Sequence, residues 1–449
     1  MTKKKITYSI KLILATTLVC STLYHPMSAQ ERNGEEIRLY QKAYEEPIRT
    51  KDKLKFIKGD FIYYLYMNSS WVYYGSESPK VSLSAVNTNY KKEKFNIKCN
   101  IEQLPGKPLY SFVQETSIDS GDSTLISFAF NSPLPGIYNV EIRNQQDSGV
   151  HFYYRYNIAY EPQRIDSESG LGRFPNMKEV SKEAAAKYCD SLASAINNKP
   201  LVVKQDYRIT KIKSSDNKER KMYLVEIPAK NNRTIKGYYF VPKDGVFSLV
   251  KKRSHPTVIR FDYCKENECA VNPNDNPNLI EFVVIKSTQD TDYLQLCRDA
   301  SMVVDFIDSK RITDKDKIFT EGCGKGAVIA TTIAATDKRI GGCATYAPLF
   351  TDELLNSTKF RFPYIAKALN APFLIEIGLQ ESESHPLNNF FIYNLIPSSK
   401  EYYLYTMPKD FNRKEWYNIE YNFFEKYNRN NQYTNFPTKS YSVGKHKTN

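Results

Sequence analysis

The chain has 449 residues, of which 13% are aromatic, so it is long enough for two or three domains of ordinary size. Its formal net charge of +13 is spread along the chain and is accompanied by no nucleic-acid-binding motif. The charge therefore indicates a basic, solvated surface, and we expect no nucleic-acid partner.

The first 29 residues have the pattern of an export signal. Four lysines and no acidic residue accompany a short apolar run at residues 13–19, and Ala29 is a suitable cleavage site before Gln30. The apolar run is too short to span a bilayer, so we expect no transmembrane anchor. Cleavage would lower the formal net charge from +13 to +9 and leave a protein exported to the periplasm, the cell surface or the medium.

Residues 30–162 have the pattern of an all-β domain. Short runs in which apolar and polar residues alternate are separated by turn residues, as in Phe61–Tyr66, Lys80–Val86 and Phe152–Tyr156. The segment Pro133–Val140 is similar to the turn into a late strand of an Ig-like sandwich, which is the fold we predict here. The many tyrosines suit half-buried strands by propensity, although they could also form a face on which carbohydrate stacks.

Residues 163–428 are predicted to form an α/β domain, because helical and strand patterns alternate after a polar connection rich in serine and glycine. Helical spacing predicts helices over Glu179–Ile196 and Thr291–Ser309. A hairpin and several further strands are predicted from short apolar runs, which are Met222–Ile227 with Gly237–Val241, Pro256–Tyr263, Phe282–Ile285, Pro372–Gly378 and Glu401–Tyr405. Residues 429–449 are predicted to be a polar C-terminal tail.

A glycine-rich turn after a β-rich run is the most informative segment for function. A helical run of small apolar residues, Ala327–Ala335, follows it, which is the strand–turn–helix context of a G-x-S-x-G nucleophile elbow. The elbow positions are Gly322, Gly324, Lys325 and Gly326. The apex, where a serine oxygen would attack the substrate, is Gly324, so the segment argues against ordinary serine catalysis.

If the elbow motif is aligned one residue earlier in the sequence, Cys323 takes the position of the nucleophile. Glu321 and Lys325 would then occupy the crowded positions that require glycine. The apex of an elbow also adopts a positive φ that glycine reaches freely and cysteine does not. We therefore interpret Cys323 as a half-buried wall residue.

Short segments on both sides of the elbow carry a family resemblance. They are Ile235–Pro242, Asp299–Ala300 with Val304–Ile307, Asp316–Phe319, Asp337–Ile340, Tyr346–Leu349 with Asp352, and Gly378–Glu381. In this order they resemble the acetyl xylan esterase / cephalosporin-C deacetylase family of α/β-hydrolases, over about residues 170–425. The resemblance implies an α/β-hydrolase fold, and exported members of the group also carry an added β-sandwich before the hydrolase.

The resemblance implies a serine–histidine–aspartate triad that removes acetyl groups from sugars, yet the matching positions depart from it. The nucleophile position is Gly324, the acid position is Glu381, and the histidine position falls near Asp410. The glycine-rich turn that would help to form the oxyanion hole is replaced by residues 264–269, which contain no glycine and two acids. Gly324, Glu381 and Asp410 are therefore vestigial triad positions, and no catalytic residue is expected.

Other residues could restore chemistry only in a changed arrangement. His385 is the best spare histidine, and a Cys323–His385 thiol esterase is chemically conceivable. Glu381, Glu383 and His385 share one loop, but such a loop is usually only solvated, so no metal ligand is expected. Seven cysteines would remain after cleavage of the signal, without a CxxC pair, and we expect neither a zinc site nor another cofactor.

Two functions follow from these patterns. The first is an exported, catalytically inactive hydrolase homologue, a pseudoenzyme that binds a polysaccharide, an oligosaccharide or another exported protein. The alternative is a carbohydrate O-acetyl esterase with a relocated or cysteine nucleophile. A third, weaker hypothesis is a structural protein in which the β-sandwich does the binding.

Overall fold

The computed structural model describes most of the chain from residue 47 onward. The described residues are 47–50, 52–104, 106–130, 134–146, 149–166, 180–198, 207–212, 220–229, 233–243, 254–264, 276, 278–285, 292–381, 385–407, 411–427 and 440–442. The predicted export signal, Asp410, Glu383 and Cys269 lie outside these residues.

The first part of the chain forms two five-stranded sheets. Its ten strands are β1 (Ile48–Arg49), β2 (Lys53–Lys58), β3 (Phe61–Tyr66), β4 (Val72–Tyr73), β5 (Lys80–Asn87), β6 (Glu93–Gln103), β7 (Lys107–Ile118), β8 (Ser123–Ala129), β9 (Gly136–Gln146) and β10 (Gly149–Tyr160). The first sheet has the order β1-β2-β3-β5-β8, and the second has the order β4-β10-β9-β6-β7. All pairs are antiparallel except the short parallel pair of β4 with β10. All three example strands predicted for this part are confirmed.

The two sheets pack face to face through aromatic side chains. Alternate residues of each strand point into the space between the sheets, because side chains in a strand project to opposite faces in turn. Phe56 and Tyr63 of the first sheet contact Phe152 of the second, with ring centroids 5.1 and 4.4 Å apart. Trp71, which is fully buried, stacks on Tyr156 at 4.2 Å. The tyrosines of these strands are thus largely core residues.

The second part is a ten-stranded mixed sheet with helices. Its strands are β11 (Arg208–Lys211), β12 (Arg220–Pro228), β13 (Thr234–Pro242), β14 (His255–Cys264), β15 (Ile280–Ile285), β16 (Thr313–Gly324), β17 (Ile340–Pro348), β18 (Phe373–Gly378), β19 (Lys400–Tyr405) and β20 (Ser440–Ser442). Its helices are α1 (Lys182–Asn197), α2 (Tyr293–Asp308), α3 (Lys325–Thr336), α4 (Asp352–Leu355), α5 (Phe362–Ala368), α6 (Pro386–Leu395) and α7 (Arg413–Lys426).

The order of the mixed sheet is β11-β12-β13-β15-β14-β16-β17-β18-β19-β20. Strands β11, β12, β13 and β15 pair antiparallel in succession, and all pairs from β15 to β20 are parallel. Strands alternate with helices along the chain, so the α/β part of the fold prediction is confirmed. The predicted hairpin is β12–β13, and the predicted helices correspond to α1 and α2.

Helices cover both faces of this sheet. Helices α1, α2, α3, α5 and α6 pack in one layer, where Ile259 and Ile375 contribute to the core. Val258 and Leu374, which project to the other face, pack with Trp416 of α7. Helix α7 therefore closes the side of the sheet opposite to α3.

Some elements of the second part were not predicted. Helices α5, α6 and α7 lie in segments for which no helix was predicted, and β20 pairs in parallel with β19 inside the predicted polar tail. In the part of the chain that the structure describes, every helix is too short or too polar to cross a bilayer.

Hydrogen bonds connect the two parts. Asn394 in α6 donates from Nδ2 to the carbonyl oxygen of Pro162 at 3.1 Å. Thr406, just after β19, donates from Oγ1 to the carbonyl oxygen of Ser70 at 3.2 Å. Ser70 lies in a turn in which three successive residues have φ between 48° and 60°, a region that residues with side chains rarely adopt. The end of β19 is thus held against a strained turn of the first part.

Candidate functional site

The glycine-rich turn forms a strand-to-helix elbow at the carboxyl end of β16. Gly324 is the last residue of β16 and the N-cap of α3, with φ 56° and ψ −123°. This is a strained conformation that glycine tolerates better than other residues. A nucleophile elbow holds its central residue on such a sharp turn at the top of the sheet, and here that residue has no side chain.

The flanking glycines allow the strand and helix to approach closely. A Cβ on Gly322 would lie 2.2 Å from the carbonyl oxygen of Gly326. A Cβ on Gly326 would lie 1.5 Å from the carbonyl oxygen of Phe261 in β14. Both distances are far shorter than van der Waals contact, so any side chain would push α3 away from β14 and β16.

The apex itself is not crowded. A Cβ on Gly324 would meet only Leu349, at 3.6 Å, which is ordinary contact. Lys325 begins α3 with an exposed side chain. The turn therefore has the space for a nucleophile, and the residue present cannot supply one.

Cys323 lies beside a group of charged and aromatic residues from other elements. Burial, and next the negative charge of Asp262, raise the pKa of its thiol to about 11. Tyr346 hydrogen-bonds to the thiol, and the positive charge of Arg413 opposes the rise. Arg413 stacks over the Tyr346 ring at 3.7 Å and forms an ion pair of 3.2 Å with Asp262. The thiol is thus held in its protonated form near neutral pH.

The other sequence-predicted residues lie in separate local interactions. Glu381 accepts a hydrogen bond from the hydroxyl of Tyr405 at 2.8 Å. His385 is the N-cap of α6, where its Nδ1 accepts a hydrogen bond from the backbone N–H of Leu387 at 3.2 Å. His385 is not among the groups that chiefly shift the pKa of the Cys323 thiol. Asp410 is outside the described residues.

Glu376 is a buried acid that the sequence analysis did not single out as a site residue. Its side chain is only 1% exposed, Oε2 accepts a hydrogen bond from the backbone N–H of Ala347, and Oε1 has no partner among the described residues. Burial raises its pKa to about 8; the Ala347 N–H and Arg413 oppose the rise, and Glu381 adds to it. The feature of the sequence that could have indicated this residue is an acidic side chain inside the otherwise apolar strand Phe373–Gly378.

A cluster of buried charged residues near the elbow was also not predicted from the sequence. Arg260 in β14 contacts three carboxylates, from Glu281 at 2.7 Å, Glu420 at 2.8 Å and Glu321 at hydrogen-bonding distance. All four side chains are at most 2% exposed. Charges are rarely buried unless they are paired, and here the pairs join three strands of the sheet to α7.

Two further neighbours complete the cluster. Arg220 in β12 forms an ion pair of 2.7 Å with Glu281. The indole N–H of Trp416 donates to Glu321 Oε1 at 2.6 Å. Glu321, directly before the elbow, is therefore a structural anchor in this network.

The described residues around the elbow include no arranged metal ligands. A cavity of about 280 Å³ lies between α1, α2 and the end of α3, and it is lined by residues such as Ile196, Ser301 and Arg339. Within the described ranges, no group of three or more histidine, cysteine, aspartate or glutamate side chains is arranged to hold a metal ion.

Comparisons with known proteins give partial similarity to esterases. No family model matches the chain, and no curated protein matches its sequence. Among solved structures, an acetyl xylan esterase from Paenibacillus sp. R4 is 18% identical, with 54% of this chain and 94% of that chain covered and a TM-score of 0.43. Acetyl xylan esterase 1 from Thermoanaerobacterium sp. JW/SL YS485 is 14% identical, with coverages of 53% and 93% and a TM-score of 0.44.

A methylesterase is also similar, at 13% identity, with 63% of this chain and 72% of that chain covered and a TM-score of 0.43. All three TM-scores are below 0.5. These values describe a loose similarity in structure and assign no activity to this chain.

Proposed function

We propose that this protein is an exported α/β-hydrolase homologue, of the acetyl xylan esterase kind, that does not hydrolyse esters and acts by binding carbohydrate. One observation carries the proposal: the apex of the elbow is Gly324, held at φ 56° and ψ −123° without a side chain. The strand–elbow–helix arrangement at the carboxyl end of a central strand supports the hydrolase origin. Without a nucleophile, the arrangement cannot form an acyl-enzyme.

The neighbours of the elbow support the same proposal. A thiol whose pKa is raised to about 11 is a poor nucleophile near neutral pH, which disfavours Cys323 as a substitute. Glu381, the acid at the triad position, accepts a hydrogen bond from the hydroxyl of Tyr405 and, within the described part of the chain, not from a histidine. Loss of even one triad member costs several orders of magnitude in rate.

The first part of the chain supports an Ig-like sandwich as the added domain. Tyr138, near the start of β9, donates a hydrogen bond to the carbonyl oxygen of Leu134 at 2.6 Å. A tyrosine that bonds to the backbone a few residues upstream is the tyrosine corner found in such sandwiches. We propose domain boundaries at residues 30–162 and 163–428, with export directed by residues 1–29.

The test is hydrolysis of 4-nitrophenyl acetate and acetylated xylan by residues 30–449, beside the variants Gly324→Ser and Cys323→Ala. We expect no turnover above the buffer rate in any of the three. Turnover by the native chain that disappears in Cys323→Ala would refute the proposal and establish the cysteine esterase instead. The mass of the secreted protein measures the cleavage site independently.

A further inference from the structure

The outer face of the first sheet differs in charge from the outer face of the second sheet. We define this face, called the lysine–tyrosine face below, by the outward side chains of β1, β2, β3, β5 and β8. They are Ile48, Lys53, Lys55, Ile57, Ile62, Tyr64, Tyr66, Lys80, Ser82, Ser84, Val86, Ser123, Leu125, Ser127 and Ala129. The face contains three lysines and no acidic residue. The acids nearby in sequence are in the turns, such as Asp52, Asp60 and Asp122.

The registers of the strands arrange these side chains in rows. Lys55, Tyr64, Ser84 and Leu125 are directly opposite one another across four neighbouring strands. The next row contains Lys53, Tyr66, Ser82 and Ser127. Each row therefore offers a cation, an aromatic ring and at least one hydroxyl group across a flat surface.

The three lysines of this face pair with no acidic residue among those that the structure describes. Lys53 Nζ lies 4.6 Å from the ring centroid of Tyr64 and 5.8 Å from that of Tyr66, a cation–π arrangement that leaves its charge unneutralised. Lys53, Lys55 and Lys80 form no ion pair with any residue that the structure describes. Lys53 and Lys55 lie two residues apart on one strand, so their side chains leave it about 7 Å apart.

The outer face of the second sheet is a contrast within the same part of the chain. There Arg155 pairs with Glu102 at 3.4 Å, and Tyr153 donates a hydrogen bond to Glu141. Positive charges on that face are thus interspersed with acids, and its polar groups bond to one another. The lysine–tyrosine face, in contrast, presents its cations without an interspersed acid.

We propose that the lysine–tyrosine face binds a uronic-acid-containing polysaccharide. The charge complementarity selects an anionic ligand, because carboxylates along a polymer pair with lysines spaced along a strand. Sugar rings present apolar C–H faces to Tyr64 and Tyr66, and their hydroxyls bond to the serine rows. This inference rests on the proposed binding function, and it names the surface and the ligand class.

The test is binding of residues 30–449 to polygalacturonate, measured by affinity electrophoresis and calorimetry, with uncharged xylan and anionic phospholipid vesicles as the other probes. We expect retention by polygalacturonate that weakens at high salt, and no retention by xylan. A Lys53→Gln/Lys55→Gln variant should bind about tenfold more weakly, and Tyr64→Ser should lose a similar amount without any change in charge. The unfolding midpoint of each variant establishes that it is folded.

The matched control is Lys98→Gln/Lys107→Gln on the second sheet, which removes the same charge from another face. The control should bind within about twofold of the unchanged chain. Equal loss in both double variants, equal retention by xylan, stronger binding to the vesicles or no binding to polygalacturonate would each overturn the inference. Esterase assays test the proposed absence of ester hydrolysis separately, so failure of glycan binding leaves that result unaffected.

Discussion

The side-chain amide of Gln380 forms two hydrogen bonds with the backbone of Asn157. Gln380 Nε2 donates to the carbonyl oxygen of Asn157 at 2.9 Å, and the N–H of Asn157 donates to Gln380 Oε1 at 2.7 Å. Asn157 in turn donates from Nδ2 to the carbonyl oxygen of Leu379 at 3.0 Å. The loop that carries Glu381 is therefore attached to β10 of the first part of the chain.

We expect Gln380→Ala to destabilise this attachment. Each hydrogen bond contributes about 1 kcal/mol, so loss of two should lower the free energy of unfolding by about 1–3 kcal/mol. Gln380→Glu retains the acceptor but cannot donate to Asn157, and it should show a comparable or larger loss. Urea unfolding measures both variants, and stability equal to the unchanged chain in both would refute the contact.

The three elbow glycines should differ in their tolerance of alanine. Gly326→Ala and Gly322→Ala place a Cβ well inside van der Waals contact distance of a backbone oxygen, so each should cost more than about 3 kcal/mol of stability. Gly324→Ala has room and should cost only its backbone strain, about 1–3 kcal/mol. Thermal unfolding of the three variants tests this order, and a reversal would mean that the elbow is not formed as described.

Alkylation of Cys323 by iodoacetamide should be slow at neutral pH. Because its pKa is raised to about 11, the reactive thiolate is scarce at pH 7, and the rate should rise about tenfold per pH unit up to pH 9.5. Peptide mass spectrometry reports the rate at this residue. Fully buried Cys297 serves as the control that should stay unlabelled in the native protein. Fast labelling that does not vary with pH would contradict the protonated thiol.

Glu376→Gln should make the protein less sensitive to alkaline pH. The folded-state pKa of Glu376 is raised to about 8 by burial, whereas an unfolded glutamate has a pKa of about 4.3. The native state thus binds one extra proton between these values, so stability is full below about pH 4.3 and falls as pH rises through about 8. The variant should equal the unchanged chain near pH 4 and exceed it at pH 8.5, by at most on the order of 5 kcal/mol.

Urea unfolding at a series of pH values measures this difference. Glu115→Gln, at an exposed position of β7, is the matched control and should leave the pH dependence unchanged. Parallel stability curves for Glu376→Gln and the unchanged chain would show that Glu376 is ionised in the native state.

Arg260→Met should destabilise the fold by about 3–5 kcal/mol, because it leaves three buried carboxylates without their shared partner. Lys92→Gln removes a cation from a pair with Asp119 whose side chains are 57% and 63% exposed, and it should change stability by less than about 1 kcal/mol. Equal effects in denaturant unfolding would mean that the cluster around Arg260 is solvated in solution.

Local patterns in the sequence were sufficient for many of the strands, for helices α1, α2 and α3, and for the elbow. The alternation in Phe61–Tyr66 predicts a strand because it needs only a period of two, and the glycines at 322, 324 and 326 mark a turn because glycine alone relieves its crowding. The absence of a side chain at the apex, Gly324, likewise follows from the sequence alone. Helix α6 was not predicted because it is buried nearly all round, Asn388 and Asn389 included, and so carries little periodic signal.

The tertiary structure alone decided which residues surround the elbow. Asp262, Tyr346, Glu376 and Arg413 come from three different strands and a helix, up to 151 residues apart in a single pair. Nothing in their spacing predicts that they meet, because the contact depends on strand order and on the packing of α7 against the sheet. The raised pKa values of Cys323 and Glu376 follow from that packing, since desolvation is a property of the assembled core and not of the local chain.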